Sequence, residues 1–228
     1  MTTFEGFADT DGKFFKALAK KNERAWFKAH KAEFEEGWNA PMSALLTDVR
    51  AAIDKAYRYV DLAEPKVFRI FRDTRFSKDK TPYKTHASGL IPLARTGKKI
   101  TDMPMALYFH VGAGEIRAAA GHYMMESESL ERFRKMVADD KRGRELTKML
   151  ASLAKAGFVQ SSYESLKRVP KGYDPEHPRA DLLRAKGLIV RFPDVPKKLL
   201  TSPKLVAWLA AECKKAAPLI EHLAFATA

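Results

Sequence analysis

Cysteine is almost absent: Cys213 is the only one in 228 residues. A lone thiol forms no internal disulfide and no cysteine-based zinc site, so a reducing, cytoplasmic setting is expected. Cys213 also falls in an apolar-periodic stretch, where a thiol is usually buried and inert, which makes it a poor nucleophile. Long apolar runs are missing as well. Nothing approaches the ~20 consecutive apolar residues that span a bilayer. Residues 1–12 have neither a basic start nor an apolar run, so no membrane partner is expected. No Gly-x-Gly-x-x-Gly or Gly-x-x-x-x-Gly-Lys pattern occurs, which removes the common nucleotide-binding fingerprints. His-x-His and His-Glu-x-x-His are equally absent, and Ser77 has no Gly-x-Ser-x-Gly elbow around it. Neither a metal site, nor a cofactor, nor serine catalysis is expected.

Acidic residues are few beside the basic ones. Asp and Glu number 28 against 41 Lys and Arg, a formal net charge of +13. Such a balance attracts phosphates, polyanions or anionic surfaces without naming one. Part of it is ordinary solvated surface, as at Lys20, Lys21, Lys197 and Lys198. Hydrophobic residues at 46% and charged residues at 30% are normal for a globular chain, so a fold is expected, with 1–228 as a single domain.

Helical periodicity marks both ends of the chain. Phe14 and Leu18, then Trp26, Phe27, His30, Phe34 and Trp38, recur every three to four residues, with Asn22 placed to cap the second helix. A further helix begins near Pro41 and runs to about Tyr57. Strand character appears at 66–73 and 89–94. Residues 105–112 and 115–123 flank Ala113-Gly114 and read as a β-hairpin. In that register Leu107, Phe109 and Val111 share a core face with Ile116, Ala118 and Ala120. Tyr108 and His110 lie on the other face opposite Ala119 and Arg117. Small residues beside an aromatic and an imidazole fit either a pocket floor or a seat for another helix. Helices return at 129–138, 142–155 and 203–223, with Ser202 as a cap, and a short strand is expected at 187–192. The class is α+β: a mixed or antiparallel sheet with a central hairpin, and terminal helices packed on it.

The densest chemistry lies at 66–86, where seven Lys or Arg face two Asp, a balance of +5. Basic residues there alternate with Phe68, Ile70, Phe71, Phe76 and Tyr83, which ties the cations to the core. If 67–72 is a strand, Arg69 shares a face with Val67 and Phe71 while Arg72 follows Phe68 and Ile70, so one guanidinium is expected to be partly buried and paired. A helical reading places Arg69, Arg72 and Arg75 along one ridge instead. Residues 77–82 read as a loop whose free amides, beside Arg75, Lys78, Lys80 and Lys84, resemble a phosphate-holding nest.

The run Phe-Arg-x-x-Arg-Asp-x-Arg-Phe-Ser-x-Asp-Lys-x-Pro-Tyr-Lys at 68–84 resembles the family catalogued as domain of unknown function 2461. Phe4-Glu5-Gly6-Phe7, Trp26-Phe27, Pro41, Gly121-His122-Tyr123 and the stretch from Leu166 to Leu182 are similar to it as well, so the resemblance covers nearly the whole chain. It implies no activity, cofactor or catalytic residue.

Candidate ligand-binding residues therefore come from chemistry alone. They are Arg69, Arg72, Asp73, Arg75, Ser77, Lys78, Asp79, Lys80, Tyr83 and Lys84 in the block, Tyr108 and His110 on the hairpin, and Lys167, Arg168 and Tyr173 in a Pro/Gly-punctuated loop. That loop reads either as a lid over the block or as plain surface. His86, His110, His122 and His177 are the candidate proton-transfer groups, without diagnostic spacing. Three functions stay open. The block and the Tyr108/His110 face form a pocket for a small anionic, phosphorylated metabolite, with or without turnover. Alternatively the basic surface binds nucleic acid, with Phe76, Tyr83 or Tyr173 stacking on bases. In the third, Arg and Asp form an internal ion-pair lattice in an interaction module, and losing Arg72 or Asp73 unfolds the protein.

Overall fold

A computed structural model describes residues 3–94 and 102–227. The fold is α+β. Six strands, β1 (Lys66–Val67), β2 (His86–Pro92), β3 (Met105–Gly112), β4 (Ile116–His122), β5 (Val159–Ser161) and β6 (Leu188–Arg191), form one sheet in the order β1-β2-β3-β4-β6-β5. Every pairing is antiparallel.

The N-terminal helices are α1 (Lys13–Lys20), α2 (Arg24–Ala29), α3 (Lys31–Phe34) and α4 (Ala40–Ile53). After the hairpin come α5 (Ser127–Ala138), α6 (Asp140–Lys155), α7 (Ala180–Arg184) and the long α8 (Lys204–Ala226). Helix α4 packs on β1 and β2, α8 on β3 and β4, and α6 on β5. The alternation of strand side chains explains the arrangement: Ala87 and Ile91, Leu107, Phe109 and Val111, Ala118 and Ala120, and Leu188 and Val190 are all buried on the helical side. Gly89 belongs there because a Cβ would come within 2.5 Å of Leu46 on α4.

The hairpin has the expected register, with Tyr108 opposite Ala119 and His110 opposite Arg117. Gly114 takes a φ of +82° in its turn. Near the end of β4, Gly121 adopts φ +136°, and a Cβ there would meet Leu188 O at 2.3 Å, so this glycine lets β4 and β6 close.

The expected single helix through Trp26, Phe27, His30, Phe34 and Trp38 is broken at His30 and widened into a π-turn over Glu35–Asn39. The carbonyl of Gly37 in that turn accepts from Ala8 N at 3.1 Å. Trp38 is fully buried beside Phe7 and Phe15. Asn22 does not cap α2, because Glu23 holds that position. Its amide instead donates to Tyr83 O at 2.9 Å, and its carbonyl accepts from Tyr83 N at 3.0 Å. Tertiary pairing outcompeted capping. Strand 66–73 also shortens to two laddered residues, followed by scattered backbone bonds from Phe68 N to Ser88 O, Lys84 N to Ile70 O and Arg72 N to Pro82 O. Pro82 has no N–H to return, which interrupts the ladder. The helical reading of the block is overturned by this extended path. Cys213 lies wholly buried in α8, and burial pushes its thiol pKa up.

Candidate functional site

Helices α4, α6 and α8 pack on one face of the sheet, and among the described residues no helix packs comparably on the other. Its side chains come from alternate strand positions: His86, Ser88 and Leu90 on β2, Tyr108 and His110 on β3, Arg117 and Ala119 on β4, and Ile189 and Arg191 on β6. They line a cavity of about 440 Å³, flanked by Phe68, Lys84, Met103, Met105 and Tyr123. The pocket-floor alternative is therefore the one realised for Tyr108 and His110, with no described helix seated on them. A cavity of this size suits a small molecule.

Two imidazoles stack at its centre. The rings of His86 and His110 lie 3.9 Å apart at 24°. His110 Nδ1 is 3.2 Å from Tyr108 Oη, and its Nε2 is 3.4 Å from Glu115 Oε2. Burial lowers both histidines to a pKa of about 4. His110 and then Lys84 add to the effect at His86, while Arg117 and Lys84 add to it at His110. The Glu115 carboxylate pulls the other way on His86, but burial outweighs it. Both rings are neutral at pH 7. Burial also raises the Tyr108 phenol, so it stays protonated as a donor. The Lys84 ammonium sits 5.5 Å from the centre of the Phe68 ring, its pKa lowered by burial and then by Arg69. Across the site Arg117 pairs with Glu115 yet stays largely exposed. Chemically, the cavity offers three cations, two phenols and two neutral imidazoles above an apolar floor. Among the described residues its lining contains no carboxylate.

The candidate residues divide. Lys84, Tyr108 and His110 meet in the cavity. The rest of the block folds away from it as a loop closed on itself. Arg72 pairs with Asp79 and Thr81, Arg75 with Asp73 at 2.8 Å, and Lys80 donates to Thr74 O at 2.9 Å. Ser77 Oγ accepts from Arg72 at the long distance of 3.5 Å. Two amides of the expected nest are already taken, Ser77 N by Thr74 O at 3.3 Å and Thr81 N by Asp79 at 2.9 Å, and just upstream Asp73 accepts from Arg75 N. Asp side chains two residues upstream satisfy such amides before any ligand does. These pairs hold both carboxyls at a pKa of about 2. Arg69 and Lys78 are exposed. Tyr83 is a core residue, buried and stacked on Phe27 at 4.3 Å.

The loop holding Lys167, Arg168 and Tyr173 is not a lid over the block. Its residues 170–173 face α5, where they border a separate groove with Leu130 and Arg134. Tyr173 packs on the hydrophobic core there, which draws the loop to that side. Of the other histidines, His122 is buried beside Asp102 at 3.3 Å and His177 accepts from Arg179 N. Two important lining residues, Arg117 and Arg191, are outside the candidates, and His86 is a candidate for proton transfer only. His86 and Arg117 had been seen as a proton-transfer group and a hairpin residue, and strand alternation places both beside Tyr108 and His110. Arg191 required knowing that β6 joins β4, which no local pattern shows.

A family model described as conserved hypothetical protein (DUF2461) matches residues 12–222, so the chain belongs to that family. No curated protein matches it.

Proposed function

We propose that this member of the DUF2461 family binds a small anionic metabolite, carrying a phosphate or carboxylate, in the cavity on the free face of the sheet. The observation that carries this reading is the convergence of Lys84, Arg117 and Arg191 on a cavity whose described lining has no carboxylate. Lys84 is partly desolvated, and such a cation gains most from an incoming anion, while Arg117, paired with Glu115, and Arg191 are exposed and add attraction at the rim. The neutral imidazoles of His86 and His110 each carry one N–H that can donate to the anion and one acceptor nitrogen, and they are the groups on which any turnover by proton transfer would rest.

Thermal melting against inorganic phosphate, phosphorylated metabolites, nucleotides and short nucleic acids tests the reading. A ligand at about 100 times its Kd stabilises by about 2.7 kcal/mol, several degrees in a protein of this size. One small anion should produce such a shift at moderate salt, and Lys84→Gln should abolish it. A shift by polynucleotides alone, lost on adding salt, refutes the reading.

That second outcome has its own supporting feature. Phe76 is 95% exposed at the tip of the basic loop, with the Arg75 guanidinium 5.7 Å from its ring centre. Exposed Phe71, Arg69, Lys78 and Lys80 lie in the same segment. An aromatic tip among cations suits stacking on single-stranded nucleic acid. Affinity on this reading falls steeply with salt and is lost in Phe76→Ala.

A further inference from the structure

The register sorts the cavity lining into rows across the sheet, and the chemistry of those rows narrows the ligand class; this step rests on the anion-binding reading above. His86, preceded by Lys84, stands at one end of β2, and the next row holds Ser88, His110 and Arg117. Then come Leu90, Tyr108, Ala119 and Arg191, and from the far row Met105 and Ile189 line the cavity. Met103 and Tyr123 also line the cavity. Cationic and hydrogen-bonding groups thus dominate one end, and thioether, aliphatic and aromatic groups the other. Same-face neighbours along a strand are ~6.8 Å apart, so the four rows span about 20 Å.

A bare phosphate or a sugar phosphate satisfies only the first two rows and leaves the apolar part of the cavity wall, Leu90, Met105 and Ile189, without a contact. We propose that the ligand is an amphipathic anion, a carboxylate or phosphate monoester with an apolar body, whose head sits between Lys84 and Arg117 and whose body runs over Leu90, Met105 and Ile189. The body has on the order of ten carbons, the length left in a ~20 Å span once the head is seated. Arg191, in the third row, flanks the body from β6.

The test is a calorimetric titration of the full chain with hexyl, octyl and decyl phosphate, decanoate, 1-decanol and inorganic phosphate, each below its micelle concentration. Each buried methylene should tighten binding roughly fourfold, so decyl phosphate should exceed hexyl phosphate by about two orders of magnitude. Decanoate should bind as well. 1-Decanol should bind far more weakly than decyl phosphate and lose nothing in Arg117→Gln, a change at a largely exposed side chain. Ala119→Leu, which fills the floor, should weaken the decyl ester while sparing inorganic phosphate. If Ala119→Leu fails to fold, the chain-length series decides without it.

Equal affinity across the chain lengths, with phosphate itself bound, overturns the amphipathic ligand and leaves the anion pocket standing. Equal binding of 1-decanol and decyl phosphate overturns the anion pocket, and the amphipathic assignment with it. Sedimentation with phosphatidylserine vesicles that Ala119→Leu leaves intact assigns these cations to a bilayer surface and overturns the cavity assignment. Binding of free decyl phosphate without sedimentation supports a soluble ligand.

Discussion

Acid should destabilise this protein through the two stacked histidines before it does so through its carboxylates. His86 and His110 have pKa values of about 4, against 6.5 for an unperturbed imidazole. The unfolded chain therefore binds protons between pH 6.5 and 4 that the native state refuses, and stability rises with pH through that window. For His110, only 6% exposed, the loss between pH 7 and 4.5 is roughly 2 kcal/mol. His86 is more exposed, so solvent screening makes its share smaller. With a urea m-value of about 2–3 kcal/mol/M, the unfolding midpoint should fall by roughly 1 M from pH 7 to 4.5. Asp73 and Asp79 do not confuse the measurement: with pKa values of about 2, their contribution is lost only below pH ~4. The assay is urea unfolding at half-unit pH steps, paired with NMR titration of the imidazole C–H signals. His110→Gln should flatten the pH dependence. Two imidazoles titrating near 6.5, with no change in midpoint above pH 4.5, refute the reasoning. Saturating anion beside the rings should raise both pKa values, since a negative charge favours imidazolium.

Two substitutions probe how the basic block is held. Asn22→Ala removes both hydrogen bonds to the Tyr83 backbone and leaves a part-buried N–H and C=O unpaired, so chemical denaturation should show a loss of about 1–3 kcal/mol. Arg72→Ala should leave a folded protein with a stability loss of roughly 1 kcal/mol, because its carboxylate partner Asp79 is more than half exposed. Global unfolding of Arg72→Ala by circular dichroism would instead restore the ion-pair lattice as the structural role of this segment.

Much of the architecture was written locally. Alternation on either side of Ala113-Gly114 specified a hairpin, its register and the separation of Phe109 from Tyr108, because strand side chains have a period of two whatever lies around them. The terminal helices followed from apolar spacing in the same way. Family membership was legible in the 68–84 run, since a long motif with fixed spacing survives without any knowledge of the fold. The site was only half legible. Counting charge drew attention to Arg72, Arg75 and Lys80, yet charge density says nothing about pairing, and Asp73, Asp79 and Thr74 satisfy these cations within the loop. Asn22 looked like a cap because its neighbours in sequence were a helix, whereas its partner lies 61 residues away.

The sequence alone determined the elements, the class and which residues alternate with which, since these depend on neighbours along the chain. Only the tertiary structure decided that the helices would crowd one face of the sheet, that β6 would bring Arg191 beside Ala119, and that His86 would stack on His110. Those outcomes depend on which strands pair and which faces compete for burial, and that competition is settled by the whole chain at once.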